Sequence, residues 1–175
     1  ADGEEVTQGS LPGDKTAKPA ALPMEAGEVQ ADHTWKRVDF ARTFFNPVVV
    51  VGGLSANGGQ AAVARLRNVT GSGFEVRIQE WECYDGSHAS ETVGYLAVES
   101  GVHSLPGNIQ VEASHLNVTK GGLFSAFTFQ KAFSTAPVVM AATVTVNDSN
   151  AVTARLDRIT AKGFRLCLQE QQANS

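Results

Sequence analysis

The sequence predicts an all-β fold, arranged as two tandem antiparallel β-sandwiches, and three observations carry that reading. The first is an internal repeat. Ala64 to Trp81 contains Arg65-Leu66, Val69-Thr70, Gly73-Phe74 and Gln79-Glu80, which return 90 residues later as Arg155-Leu156, Ile159-Thr160, Gly163-Phe164 and Gln169-Glu170. The second is alternation. Phe74-Glu75-Val76-Arg77-Ile78-Gln79 and Phe164-Arg165-Leu166-Cys167-Leu168-Gln169 switch between apolar and polar residues, the period of a strand with one buried face, with Cys167 falling on the polar side. The third is the lack of helical spacing wherever apolar residues are dense. A duplication of this kind is read before anything else, because it decides how many cores the chain builds.

Taken in order, residues 1–23 hold three prolines, three glycines and no aromatic residue, and so form an arm that cannot build a core. Glu4 to Gln8 is its most strand-like piece, and β-augmentation of an open sheet edge is the role expected of it. The first sandwich is expected over 24–101. It opens with Met24 to Val29, followed by a strand in Trp35 to Phe40, whose counterpart is Phe124 to Phe129. Pro47 leads into Val48–Val51, and Pro137 into Val138–Met140. Both are unbroken apolar runs that suit strands covered on both faces. Asn57-Gly58-Gly59 marks a turn, and Gly71, Gly73 and Gly163 sit where the hairpins need unusual backbone. Thr92 to Glu99 carries apolar residues on both faces and reads as an interior strand. Residues 102–107 read as a connector punctuated by Pro106-Gly107. The second sandwich, 108–175, lacks an equivalent of Thr92–Glu99 and is therefore one strand short.

The composition is that of an ordinary globular chain, with 42% hydrophobic and 18% charged residues. A net charge of −4 argues against nucleic acid as a partner, because phosphate binding needs a clustered basic face. No apolar run approaches the roughly 20 residues that span a bilayer, so no membrane insertion is expected. No signal peptide is visible, and Ala1 is not a start methionine, so the chain reads as a mature or excised piece. Cys83 and Cys167 are not equivalent in the two copies and are expected to be unpaired thiols.

The unit that starts A-G-E-V at Ala26 and W-K-R-V-D-F at Trp35 continues F-x-N-P-V-V-V at Phe44 and A-R-L-x-x-V-T-x-x-G-F at Ala64. It then has a Trp at Trp81 and closes E-T-V-G-Y-L-A-V-E at Glu91. It resembles the H-type lectin domain, the family of snail agglutinins and the C-terminal domain of discoidins. The resemblance covers 24–101, with 108–172 as a shortened copy. It implies a six-stranded sandwich, commonly trimeric, that binds galactose-type sugars at subunit edges. The family's sugar-contacting Trp falls on Trp81. Glu82 stands where the family has a histidine, and Ala61 where it has an arginine. In the second copy Gln171 and Ala151 stand in place of the Trp and the arginine.

Trp81, Glu82, Tyr84, Asp85 and His88 are the expected carbohydrate-binding residues. A ring offers a flat apolar face to sugar C–H groups, and neighbouring polar side chains read hydroxyls directionally. Asp85, His88 and Glu91 could also be read as a metal or acid/base cluster. Their spacing across a Gly-Ser turn favours a solvated loop instead, so no metal or cofactor is expected. Arg65 and Arg155 are expected to make structural bonds to loop carbonyls. Asn68, Asn117 and Asn147 fit the N-glycan acceptor pattern. No nucleophile elbow or phosphate loop is present, and no catalysis is expected. The function expected is an extracellular or cell-surface lectin-like module that binds glycans or polysaccharide and works as a homo-oligomer, trimer or polymer. The alternative is a self-assembling structural or adhesive subunit whose arm completes an open sheet edge.

Overall fold

The structure is a computed structural model, and it describes residues 22–119, 121–147 and 149–170. The arm at 1–21 and Gln171 therefore lie outside the described residues, together with the edge-pairing expected of Glu4–Gln8. Among the described residues there are eleven strands and no helix, so the fold is all-β. All the strand pairings are antiparallel.

Six strands build the first unit. They are β1 (Met24–Ala31), β2 (Lys36–Asp39), β3 (Pro47–Leu54), β4 (Ala62–Thr70), β5 (Gly73–Glu80) and β6 (Glu91–Glu99). One sheet has the order β1-β6-β3 and the other β2-β5-β4. The expected interior strand is thus the central one, with Val49 opposite Ala97 on one side and Val29 opposite Val93 on the other. The inward residues of the two sheets meet in one core. Val49, Val93 and Ala97 come from the first sheet, and Leu66, Phe74, Val76 and Ile78 from the second, all at most 1% exposed. This is the six-stranded sandwich expected of the first copy. Full burial of such side chains is worth roughly 1.5–3 kcal/mol each.

The β4–β5 hairpin shows why the repeat is so constant. Thr70 Oγ1 donates to the Gly73 carbonyl at 3.2 Å, and Thr160 Oγ1 donates to the Gly163 carbonyl at 3.0 Å. A side chain at Gly73 would collide with the Val38 carbonyl oxygen, and one at Gly163 with that of Phe127. Both glycines are demanded by close backbone approach from the neighbouring strand. Asn68 (φ 50°) and its equivalent Arg158 (φ 47°) take the same left-handed backbone. Around Asn68 the β4–β5 register shifts between Arg67 and Thr70.

The second unit keeps one half of this design. Strands β9 (Ser125–Thr128), β10 (Val152–Asp157) and β11 (Gly163–Glu170) form a sheet of order β10-β11-β9, matching β4-β5-β2. Phe129 and Phe133 stack edge-on at 4.8 Å, as Phe40 and Phe44 do at 5.0 Å. The other half is altered. The stretch expected to be a connector contains β7 (Gly101–Leu105), which pairs with β8 (Ile109–Ala113). Gly107 and Asn108 both take positive φ, so Pro106-Gly107-Asn108 is a hairpin turn and not a linker. In β8, Val111-Glu112-Ala113 followed by Ser114-His115 echoes Val29-Gln30-Ala31 and Asp32-His33 of the first unit.

The expected strand at Val138–Met140 is not formed. That stretch lies in no ladder, Val138 is 93% exposed and Met140 54%. The physical reason lies in the first unit, where β3 pairs only with β6. Among the described residues no strand takes the place of β6 beside the second copy of β3. Cys167 also departs from expectation. It lies on the polar side of β11 by alternation, yet it is 5% exposed, because both faces of the strand are covered there. Cys83 and Cys167 are both free.

Candidate functional site

The Ala64–Trp81 hairpin ends by placing two kinds of residue at one corner. Strand parity sends Arg77, Gln79 and Trp81 outward and Ile78 and Glu80 inward. Arg77, Gln79, Trp81, Glu82 and Tyr84 border a shallow depression of about 210 Å³, with His33 across from them. Trp81 is 40% exposed and Tyr84 42%, so both rings present a face to solvent. Glu82 and Asp85 are exposed as well. Burial of Arg77, followed by the neighbouring charge of Arg67, pushes its guanidinium below the ordinary value. Arg77 Nε is buried without a hydrogen-bond partner in the structure.

Beneath the depression lies a buried polar cluster. Glu80, His88 and Glu91 are respectively 5%, 4% and 1% exposed. His88 Nδ1 meets Glu80 Oε1 at 2.9 Å, and His88 Nε2 meets Glu91 Oε1 at 3.2 Å. A carboxylate oxygen thus faces each ring nitrogen of His88. Glu80 Oε2 also accepts from the Gly86 amide at 3.0 Å. Glu91 accepts from the Ser55 hydroxyl and from the amides of Asn57 at 3.0 Å and Gly58 at 2.6 Å. These bonds hold the Glu91 carboxyl at about 2, well below the carboxylate range, with the Ser55 hydroxyl as the largest contributor. Gly58 lies against the imidazole, where a side chain would collide with the ring. The cluster ties the 55–58 loop, the 81–90 loop and the start of β6 into one corner.

Of the five residues expected to contact sugar, Trp81, Glu82 and Tyr84 line the depression. Asp85 caps the Ser87 amide at 3.0 Å within the exposed loop. His88 lies below the surface with both nitrogens occupied, and so positions the loop that carries the rings. The solvated-loop reading suits Asp85 and fails for His88 and Glu91, which are buried. Glu80 went unread altogether, although its signal was present: a charged residue on the apolar parity of β5. Arg77 was likewise visible only as one polar residue of an alternating strand. Glu80 and Glu91 approach the imidazole from opposite nitrogens, so the three groups do not converge on one point. Among the described residues no group of three or more His, Cys, Asp or Glu side chains could hold a metal ion.

Arg65 and Arg155 donate to the side-chain oxygens of Gln79 and Gln169, at 2.8 and 2.7 Å. This bond across the hairpin is common to both copies of the repeat. Arg65 additionally bonds the Asn150 carbonyl, which fastens the second unit to the first.

With this geometry in view, comparison with known proteins is sparse. No protein-family model matches the chain, and no solved structure matches it. It is similar to halomucin of Haloquadratum walsbyi, with 30% identity over 148 residues, covering 80% of this chain and 2% of the relative. The chain thus spans a small fraction of the length of the protein it matches. That relative carries the name of a mucin. An extracellular or surface role is the functional statement this similarity supports. Among the described residues no helix is long and apolar enough to cross a membrane.

Proposed function

We propose that this chain is a non-catalytic, carbohydrate-binding module of a surface protein, with the Trp81–Tyr84 depression as its sugar site. The observation that carries the reading is the pair of half-exposed rings on a loop braced from below by Glu80, His88 and Glu91. A rigid aromatic platform loses little conformational freedom on binding, and Arg77, Gln79 and Glu82 beside it supply directional groups for hydroxyls. The H-type lectin resemblance and its Trp81 match support the same corner. Per-site affinity is expected to be weak and raised by multivalency through oligomerisation.

A glycan array probed with the wild type and with Trp81→Ala tests this. The expected result is binding to at least one glycan class, lost in the variant at an unchanged melting temperature, because an exposed ring contributes little to stability. Failure of the wild type to bind any glycan or polysaccharide would sink the reading.

A further inference from the structure

Arg77 and Cys167 hold the same place in the two copies of the repeat. The hairpin around them is preserved, with Arg65 bonded to Gln79 in one copy and Arg155 to Gln169 in the other. The hairpin therefore forms with a small thiol at this position, and its geometry does not call for a cation there. In the second unit that thiol is buried. In the first unit Arg77 is half-buried and borders the depression beside Gln79, Trp81 and Glu82. Trp81 also differs from its counterpart, which is Gln171. Arg77 and Trp81 thus both depart from the repeat, and both border the same depression.

The Arg77 guanidinium is held in place and has no counter-charge. It lies 4.9 Å from the centre of the Trp35 ring, and its Nε is buried without a hydrogen-bond partner. Nη2 reaches Gln79 Oε1 only at 3.5 Å, and that oxygen already accepts from Arg65 at 2.8 Å. Nearby, Arg37 pairs with Asp39 and Arg67 with Glu75. Among the described residues no carboxylate makes such a pair with Arg77. Burial and the charge of Arg67 both act against its ionised form, and no acid offsets them. Two acids border the depression. Glu80 is turned inward, with its oxygens on His88 Nδ1 and on the Gly86 amide. Glu82 is exposed, where water and salt screen its charge. A partly buried cation without a partner has lost solvation that an arriving anion would return.

From this we infer that the depression takes an acidic sugar, a saccharide whose carboxylate or sulfate ester lies on Arg77 while a sugar ring packs on Trp81. The inference rests on the sugar-site reading given above and adds to it the class of ligand. A guanidinium offers two parallel N–H groups to a carboxylate or to two sulfate oxygens, so either anion meets the same fork. With Nε buried, the edge that remains for the ligand is the one formed by Nη1 and Nη2. A neutral sugar would find the ring and the Gln79 amide but would leave Arg77 unpaired. The preference for acid therefore comes from Arg77, and the basal affinity from Trp81 and its neighbours.

A glycan array of matched pairs tests it, with β-glucuronides set against β-glucosides and sulfated galactosides against plain galactosides. The full chain is probed as wild type, Arg77→Gln and Arg77→Lys. The wild type should bind at least one acidic glycan about tenfold more tightly than its neutral partner, and the pair that shows this tells carboxylate from sulfate. Arg77→Gln should bring that ratio to about one, with neutral glycans bound as before. Arg77→Lys should keep part of the ratio, because the charge stays and the fork is lost. Raising salt from about 50 mM to about 500 mM should shrink the wild-type ratio. Melting curves check that both variants fold, and the wild-type ratio with its salt dependence needs neither of them. Neutral glycans bound as tightly as acidic ones would overturn this inference and leave the sugar site standing. An acidic preference that survives in Arg77→Gln would overturn it too, by placing the anion elsewhere. A wild type that binds no glycan at all would remove the sugar-site reading itself, and this inference with it.

Discussion

Phe74 and Phe164 occupy the same place in the two units, yet Phe74 is fully buried and Phe164 half-buried beside a cavity. The same holds for Phe44 against Phe133 and Val49 against Val139. The hydrogen bonds around these rings do not differ. Phe44 and Phe133 both donate their amides at 2.8 Å, to the carbonyls of Gly71 and of its counterpart Ala161. Local backbone bonding is therefore set within the β2-β5-β4 sheet, independently of whether the opposing sheet is complete. Burial of the core depends on β6, and it is lower in the second unit, where the described residues hold no counterpart of that strand.

The largest expected effect breaks this comparison directly. Phe74→Ala should cost about 3–5 kcal/mol, the range for an aromatic deleted from a closed core. Phe164→Ala should cost only about 1–2 kcal/mol, because part of its surface is already uncovered. Urea unfolding of the two variants checks the ratio. Equal losses would mean that the second core is closed in solution.

A second difference is chemical. Glu91 has no counterpart within the described residues of the second unit, so the buried acid cluster belongs to the first. Its carboxyl titrates at about 2 in the fold against 4.5 for the free group. A depressed carboxyl contributes stability that is fully present above 4.5 and lost as pH falls toward 2. The stability gap between wild type and Glu91→Gln should therefore be constant above about pH 5.5 and close between about 4.5 and 2. Asp157 in the second unit is also lowered, by its bond to Arg165, but it stays partly exposed and screened. Acid should thus loosen the corner beneath Trp81 first. Chemical denaturation as a function of pH measures this, and a gap that persists unchanged to pH 2 would refute it.

How much of this could be read from residues alone follows the same division. The β4–β5 and β10–β11 hairpins were legible because their signals are local: alternation, a Gly where backbones touch, and a constant offset of 90. The role of Thr92–Glu99 as an interior strand was legible because both its faces are apolar. Val138–Met140 misled because an apolar run records a preference for pairing and not the presence of a partner. Pro106-Gly107 suggests a connector in the sequence because the short alternation of Val102 to Leu105 is too weak to register without its β8 partner. At the candidate site Trp81 and Tyr84 were legible as exposed rings in a polar stretch. His88 and Glu91 were not, because their burial depends on Gly58 and Ser55, some thirty residues upstream, folding over them.

The smallest expected effect sharpens the comparison at the outer face of the hairpins. In the first unit Arg67 pairs with Glu75 at 2.5 Å across β4 and β5, and the Arg67 guanidinium lies 4.1 Å from the Trp35 ring centre. In the second unit the equivalent positions carry the opposite charges. Asp157 pairs with Arg165, whose guanidinium lies 4.9 Å from the Phe124 ring. The pair is conserved in position and inverted in sign, so the geometry asks for one cation and one anion and is indifferent to which strand holds which. The arginine reaches the aromatic residue of the neighbouring segment from either strand. Glu75→Arg alone puts a cation beside Arg67, Arg37 and Arg77, and should lower the melting temperature by about 4 °C. Adding Arg67→Asp should restore it to within about 2 °C of wild type, since the first unit then carries the second unit's arrangement. Calorimetry on the two single variants and the double variant closes the cycle. A double variant as unstable as Glu75→Arg would mean that the sign of each charge is fixed by its surroundings, with Arg77 the first neighbour to suspect.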